Sequence, residues 1–246
     1  MDVIGIIPAR YSSTRFEGKV LADIAGKPMI QHVWERAKKA LLLEDLIIAC
    51  DDERVLQAAE DFGAKAVMTA KAHACGTDRL CEVINPLDVK IVINIQGDEP
   101  LIHPTMIDGV ARALLDDSSV SMATIMKNIE DERVINDPNV VKVVIDKNNF
   151  ALYFSRSPVP FHARGSEIKL PVYFKHIGLY GYTKDFLFIY KNLPVSYLEK
   201  VERLEQLRVM EEGFAIKVIE TKYDTIGVDT PEDLEKVKLC LREGKI

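Results

Sequence analysis

The chain is poor in cysteine, with four residues at Cys50, Cys75, Cys81 and Cys240 in a length of 246. None of them forms a Cys-x-x-Cys pair, which argues against a zinc site and against a redox-active dithiol motif. Free thiols are typical of a reducing compartment, so we expect a cytoplasmic protein.

Long apolar runs and a surplus of positive charge are also missing. No stretch approaches the roughly 20 apolar residues that span a bilayer, and we expect no signal peptide, because the basic segment and cleavage site of one are absent. Lys and Arg number 32 against 38 Asp and Glu, a formal net charge of −6. A nucleic-acid-binding protein would usually carry a basic stripe. We therefore expect neither a membrane nor a nucleic acid as a partner, whereas a small anion needs only a few cations.

Two glycine-rich phosphate-binding motifs are absent as well. Gly18-Lys19 is followed by Val20 and lacks the earlier glycine of a Walker A loop. The chain also has no G-x-G-x-x-G, the glycine fingerprint of a Rossmann oxidoreductase. Both absences argue against those two enzyme classes.

Short apolar runs alternate with amphipathic segments over the first half of the chain. This pattern predicts strands at residues 3–8, 46–50, 64–68 and 90–95, and helices that begin at Pro28 and span 53–62, 77–83 and 104–115. Such an alternation predicts an α/β fold with a doubly wound, mostly parallel sheet.

The middle of the chain follows another pattern. Apolar runs predict strands at 140–145, 151–154 and 177–182, and a loop rich in proline, histidine and basic residues spans 158–171. Helices return at 198–212 and 231–242. We predict a single domain of residues 1–246 with an embedded antiparallel lobe at about 139–183.

A cation-rich loop follows the first predicted strand. Residues 8–19 contain Arg10, Arg15 and Lys19 together with the hydroxyl groups of residues 12–14. Open α/β sheets bind ligands at the carboxyl ends of their strands, and cations, hydroxyls and backbone N–H groups are what a triphosphate requires. We favour a phosphate-binding loop over a solvated basic loop, because these cations are concentrated within an acidic chain.

Two aspartates are candidate metal ligands. Asp98 follows the apolar run 91–96 and Gly97, and a glycine lets the backbone approach a ligand closely; a simple turn aspartate is an equal alternative. Asp229 precedes a helix start in which Thr230 fits the N-cap and Asp233 its reciprocal partner. Asp229 is then free of a capping role.

Residues 6–15 (IIPARYSSTR) resemble the opening motif of the sugar-acid cytidylyltransferases. The resemblance continues along the whole chain, in residues 26–30, 73–80, 94–100, 139–144, 151–156, 176–182, 204–208 and 227–234. One departure is Glu17, where the family usually has proline. The resemblance implies a homodimeric, Mg²⁺-dependent nucleotidyltransferase that moves CMP from CTP onto a sugar acid. Residues 156–180 favour 3-deoxy-manno-octulosonate (Kdo), the acceptor in lipopolysaccharide synthesis. Sialic acid as acceptor, and a catalytically silent nucleotide-binding module, are the alternatives.

The resemblance also implies roles for individual residues. It places the nucleotide against Ala9, Arg10, Ser13, Arg15, Lys19, Thr77, Arg79, Gln96 and Gly97, with Arg79 near the cytosine. It places the sugar acid against Arg156, His176, Tyr180, Glu205 and Gln206. It assigns Mg²⁺ to Asp98 and Asp229, which act in catalysis with Lys19 and Arg15. From the residues alone, Thr77 would be a helix cap, His176 and Tyr180 would be core residues on one side of a strand, and Glu205-Gln206 would belong to a solvated helix face.

Overall fold

The computed structural model describes residues 1–12, 16–73, 76–163 and 173–244. Its strands are β1 (Val3–Ala9), β2 (Asp23–Ile24), β3 (Lys27–Pro28), β4 (Asp45–Cys50), β5 (Lys65–Met68), β6 (Ile91–Asn94), β7 (Met122–Ile129), β8 (Lys142–Ile145), β9 (Ala151–Ser155), β10 (Tyr173–Thr183) and β11 (Lys217–Glu220). Its α-helices are α1 (Met29–Ala37), α2 (Glu53–Asp61), α3 (Gly76–Ile84), α4 (Pro104–Asp116), α5 (Glu132–Ile135), α6 (Lys184–Asn192), α7 (Tyr197–Glu202), α8 (Gln206–Glu211) and α9 (Pro231–Arg242). Within the described ranges, no helix is long and apolar enough to cross a membrane.

The main sheet runs in the order β11-β7-β10-β6-β1-β4-β5, and β8 and β9 extend it from β10. The pairs β1–β4, β1–β6, β4–β5 and β7–β11 are parallel. Strand β10 is antiparallel to β6, β7 and β8. The predicted α/β fold, with a mostly parallel sheet and added antiparallel strands, is confirmed. The last strand of the predicted lobe, however, is a central strand of the main sheet.

Two apolar layers cover the sheet, one on each face. Alternate residues of β1 enter opposite layers: Ile7 packs with α1, α2 and α4, and Ile6 packs with α3, α6 and α8. Both side chains are fully buried. A strand buried on both faces reads as a continuous apolar run, which is why the sequence pattern predicts β1 well.

The prediction of a single helix over residues 198–212 is wrong. The segment forms two short helices, α7 and α8, because Arg203 adopts a left-handed conformation with φ 54° and ψ 49°. The predicted start of the helix at Pro28 is also displaced by one residue. Pro28 is extended and α1 begins at Met29. Strands β7 and β11, helices α5 and α6, and the small β2–β3 hairpin were not predicted.

Candidate active site

The candidate site lies at the carboxyl ends of β1 and β6, which are neighbours in the sheet. The backbone N–H of Ile95 donates to the carbonyl of Ile6 at 2.9 Å and extends this pairing toward the site. Beyond it, Gly97 passes so close to β1 that an added Cβ would lie 2.7 Å from the carbonyl oxygen of Pro8. Only glycine fits at this close approach to β1. The residue that follows it, Asp98, therefore lies at the carboxyl end of the strands.

Lys19 joins the two predicted metal ligands. Its Nζ lies 2.6 Å from Oδ2 of Asp98 and 3.1 Å from Oδ1 of Asp229. Both carboxylates therefore converge on one cation, and these two oxygens lie within about 6 Å of each other. Burial opposes the charge on Lys19, but the two carboxylates outweigh it and raise the pKa of Lys19 above its usual value.

The loop that carries Asp98 is tied to the loop that carries Asp229. The backbone N–H of Val228 donates to the carbonyl of Asp98 at 2.9 Å, and the carbonyl of Val228 accepts from Lys19 Nζ at 3.1 Å. The hydroxyl of Thr225 donates to the carboxyl group of Glu99. Burial raises the pKa of Glu99 to about 7, although this hydrogen bond opposes the shift. Glu99 thus links the loop that carries Asp98 to the segment that precedes Asp229, a contact that the sequence analysis missed.

The predicted phosphate loop, the cation-rich segment that follows β1, folds back on itself at Gly18. The N–H of Gly18 donates to the carbonyl of Tyr11 at 2.9 Å, and Gly18 has a φ of 67°, which favours glycine. Glu17, the residue that departs from the family pattern, is exposed. Ser13 and Arg15, two of the predicted nucleotide contacts, lie outside the described residues.

Arg79 is connected to this loop through Asp51. Its side chain is fully buried. Its Nη2 donates to Asp51 at 3.0 Å, and its Nη1 donates to the hydroxyl of Thr69. Asp51 in turn accepts a 3.1 Å hydrogen bond from the N–H of Tyr11. Among the described residues, Arg79 Nε and Arg10 Nη2 are buried without a hydrogen-bond partner.

A pocket of about 230 Å³ opens beside these loops. Five residues with predicted substrate roles line it: Thr77 and Gln96 from the nucleotide set, and Tyr180, Glu205 and Gln206 from the sugar-acid set. The structure thus brings members of both predicted sets to one cavity.

Other residues line the same pocket without having been predicted. They are Gly76, Asn94, Tyr182, Tyr190, Arg203 and Leu204. Burial raises the pKa of Tyr180 and of Tyr182 well above the usual value, so both hydroxyl groups remain hydrogen-bond donors. Partial burial also raises the pKa of Glu205. Asn94 and Tyr180 are partners across β6 and β10. Their closeness depends on how the strands pair in the sheet, so the sequence pattern could not have identified Asn94 as a pocket residue.

Two predicted sugar-acid residues, His176 and Arg156, are not among the residues that line this pocket. The ring of His176 lies 5.4 Å from the ring of Tyr180, on the predicted common side of β10, and its Nε2 lies 2.9 Å from Oγ1 of Thr124. Burial lowers the pKa of His176 to about 3 and keeps the imidazole neutral. Arg156 donates through Nε to the carbonyl of Glu202 at 2.8 Å.

Residues 4–221 match the model of the cytidylyltransferase family. The chain belongs to this family. The resemblance seen in its motifs is thereby confirmed, and the protein is a nucleotidyltransferase.

Curated relatives of this cytidylyltransferase carry a more specific name. The 3-deoxy-manno-octulosonate cytidylyltransferase of Geotalea uraniireducens (strain Rf4) is 53% identical over 245 residues, which cover 96% of this chain and 98% of the relative. The protein of the same name from Solibacter usitatus (strain Ellin6076) is 56% identical over 235 residues, with 96% and 92% covered.

Solved structures of other cytidylyltransferases are similar to this chain. A CMP:2-keto-3-deoxy-manno-octonic acid synthetase complexed with CTP superposes with a TM-score of 0.93 and 43% identity, covering 99% of this chain and 100% of the other. A 4-diphosphocytidyl-2C-methyl-D-erythritol synthase from Anaerococcus prevotii DSM 20548 reaches a TM-score of 0.62 at 14% identity, with 98% of each chain covered, and shares the fold.

Proposed function

We propose that this cytidylyltransferase transfers CMP from CTP to the anomeric hydroxyl group of Kdo and releases pyrophosphate, a step that serves lipopolysaccharide synthesis. The single observation that carries the proposal is the pocket in which residues of the nucleotide set and of the sugar-acid set meet. The names and full-length similarity of the relatives support Kdo as the acceptor.

The proposed chemistry is a nucleophilic displacement at the α-phosphorus of CTP. The anomeric oxygen forms a bond to the α-phosphorus of CTP and gives up its proton to solvent, while the bond from the α-phosphorus to the pyrophosphate oxygen breaks and pyrophosphate leaves. Positioning and charge stabilisation supply most of the catalysis in such transfers. Lys19 and Arg15, both in the phosphate loop, would stabilise the triphosphate and the negative charge on the leaving pyrophosphate, and Arg10 would help to bind the nucleotide.

The residues present also fit a magnesium ion. Asp98 and Asp229 direct one carboxylate oxygen each at a common cation, here the ammonium group of Lys19. Among the described residues no group of three or more acidic, histidine or cysteine side chains forms a fuller cage. A pair of carboxylates suits Mg²⁺, which is usually held by one or two carboxylates together with substrate phosphates and water. When bound there, Mg²⁺ would offset the negative charge that develops during transfer.

We further propose a homodimer and a cytoplasmic location. Exposed apolar residues gather on β9 and α7, at Leu152, Tyr197 and Val201. The hydroxyl of Ser155 on β9 donates to Glu202 on α7 at 2.6 Å, so the two elements are adjacent. The free thiols of Cys50 and Cys240 support the cytoplasmic location.

The decisive experiment measures pyrophosphate release by the purified chain with CTP and Mg²⁺, with Kdo or sialic acid added in parallel. Release with Kdo and not with sialic acid is the expected result. Release with sialic acid alone would replace the acceptor, and silence with both while CTP still binds would favour a nucleotide-binding module. Omission of Mg²⁺ should abolish the release.

A further inference from the structure

Asn94 carries a polar group that the described residues leave without a partner. It is the last residue of β6, it is 5% exposed, and it lines the 230 Å³ pocket. Its Oδ1 is buried and has no hydrogen-bond partner among the described residues. Buried carbonyl oxygens are nearly always satisfied in folded proteins, so such an exception points to a ligand.

The neighbours of Asn94 on β10 also belong to the pocket. Its cross-strand partner on β10 is Tyr180, which lines the same pocket. Tyr182, two residues further along β10, lines the pocket as well. Of the two polar atoms of the Asn94 amide, the buried Oδ1 is the one left without a partner, and it is therefore the group that a molecule in the pocket would satisfy.

The chemistry of Oδ1 restricts the kind of ligand group that it can bind. A carbonyl oxygen only accepts hydrogen bonds, so it is unsuited to phosphate or carboxylate oxygens and suited to a hydroxyl group. The pocket is lined by the aromatic rings of Tyr180, Tyr182 and Tyr190, and it also carries Glu205, Gln206 and one cation, Arg203. Aromatic faces combined with mixed acceptors and donors and a single cation suit a polyhydroxylated acid, whereas the triphosphate requires the several cations of the phosphate loop.

We propose that Asn94 is a specificity-determining residue whose Oδ1 accepts a hydrogen bond from a hydroxyl group of the sugar-acid acceptor. This inference rests on the proposed function, because it names a contact of the same acceptor. A site built to pair with a substrate hydroxyl discriminates strongly against analogues that lack it, since the protein group is then left buried and unpaired.

The test compares Asn94→Leu, which keeps the approximate size and removes both polar atoms, with the unaltered chain. Pyrophosphate release gives kcat and KM for Kdo and for CTP. We expect the KM for Kdo to rise by about 10- to 100-fold, the equivalent of one unsatisfied buried polar group, with the KM for CTP within about two-fold. An unchanged KM for Kdo, or an equal rise for CTP, would overturn the proposal.

Kdo analogues that each lack one hydroxyl group identify the contact. For one analogue, the KM of the unaltered enzyme should rise by the same factor by which Asn94→Leu raises the KM for Kdo. The KM of the variant should be the same for that analogue as for Kdo. If every analogue raises the KM of both proteins equally, the inference is contradicted. Tyr182→Phe removes the hydroxyl group of another residue of the pocket and keeps Oδ1 of Asn94. If it reproduces the pattern of Asn94→Leu, Asn94 only supports Tyr182 and the proposal fails.

Two further outcomes separate the inference from the proposed function. If Asn94→Leu does not fold, Asn94→Ala is assayed in the same way, with thermal unfolding as the check on folding. If the unaltered enzyme releases pyrophosphate with Kdo and both variants retain its KM, only the inference about Asn94 fails. If the unaltered enzyme is inactive with Kdo, the proposed function fails and the inference fails with it.

Discussion

The ammonium group of Lys19 donates a 2.6 Å hydrogen bond to Asp98, a residue 79 positions further along the chain. The same nitrogen reaches Asp229, at a separation of 210 positions. Three charged groups from distant segments thus form one cluster, and the phosphate loop is linked through Lys19 to both predicted metal ligands. From this arrangement we make one prediction for a carboxylate and another for the cation.

Asp98→Asn should reduce turnover by about 100-fold or more, while CTP affinity changes by less than about ten-fold. The reason is that the amide keeps the size of the side chain but removes a charge that would hold Mg²⁺, whose electrostatic contribution to transfer is several kcal/mol. Pyrophosphate release and CTP titration calorimetry measure the two effects. Asp45→Asn is the matched control, since Asp45 forms a surface ion pair with Lys65. Near-normal turnover of Asp98→Asn would show that Asp98 is not a ligand of the metal.

Lys19→Met should raise the affinity for a divalent metal ion and lower the turnover. Without nucleotide, the variant should bind Mg²⁺ or Mn²⁺ several-fold more tightly than the unaltered protein, because the competing ammonium group between the carboxylates is gone. With CTP and Kdo, its turnover should fall, because the triphosphate loses a cation. Metal titration calorimetry and pyrophosphate release test the two parts, with Lys65→Met as a surface control. Unchanged metal affinity would show that Lys19 and the metal occupy separate places.

The strands around this cluster could be predicted, but the cluster itself could not. The apolar run that becomes β6 and the Gly97-Asp98 pair that follows it are local signals. The closeness of Asp98 and Asp229 depends on the order of strands in the sheet and on the hydrogen bond from Val228 to Asp98. No pattern within either segment carries that information, and only the family resemblance pointed to it.

The break between α7 and α8 shows a second limit. Left-handed residues that end helices are most often glycine, sometimes asparagine. Here the residue is Arg203, within a stretch whose apolar spacing is helical throughout. Tertiary packing overrides the local preference at this position, and Leu204, Glu205 and Gln206 are turned toward the pocket as a result.

Glu202→Gln should weaken both stability and acceptor binding. The carboxylate of Glu202 accepts hydrogen bonds from the backbone N–H of Arg156 at 2.9 Å and from the Ser155 hydroxyl at 2.6 Å. Loss of the charge should lower the free energy of unfolding by about 1–3 kcal/mol. If Arg156 binds the acceptor carboxylate, the KM for Kdo should rise several-fold. Urea denaturation and steady-state kinetics are the measurements, and Glu212→Gln, an exposed site, is the control. An unchanged KM would leave Glu202 with a structural role only.

His176 should make stability fall as the pH is lowered. Its pKa is about 3 in the folded protein and about 6.5 in an unfolded chain. Between these values the unfolded state binds more protons, so stability rises with pH and is lost as the pH falls below about 6.5. From pH 7 to pH 5 this histidine should account for a loss of about 2 kcal/mol. Denaturation of His176→Gln should show a correspondingly flatter profile, whereas His162→Gln, at an exposed site, should follow the unaltered protein. Parallel profiles for all three would refute the assignment.

Leu152→Asp should disrupt the proposed homodimer. Strand β9, which carries Leu152, pairs with β8 and with no other strand in the described part of the chain, so it forms an edge of the sheet. Leu152 is 58% exposed, and Val201 and Tyr197 on the adjacent α7 are 61% and 73% exposed. A charge in the centre of an apolar interface must be desolvated without a partner, which should raise the dimer dissociation constant by at least about ten-fold. Sedimentation equilibrium measures that constant, and Leu239→Asp on α9, where Leu239 is 54% exposed, is the control. If Leu152→Asp remains as dimeric as the control, the β9–α7 surface is not the interface. If the unaltered chain sediments as a monomer, these exposed residues must have another role.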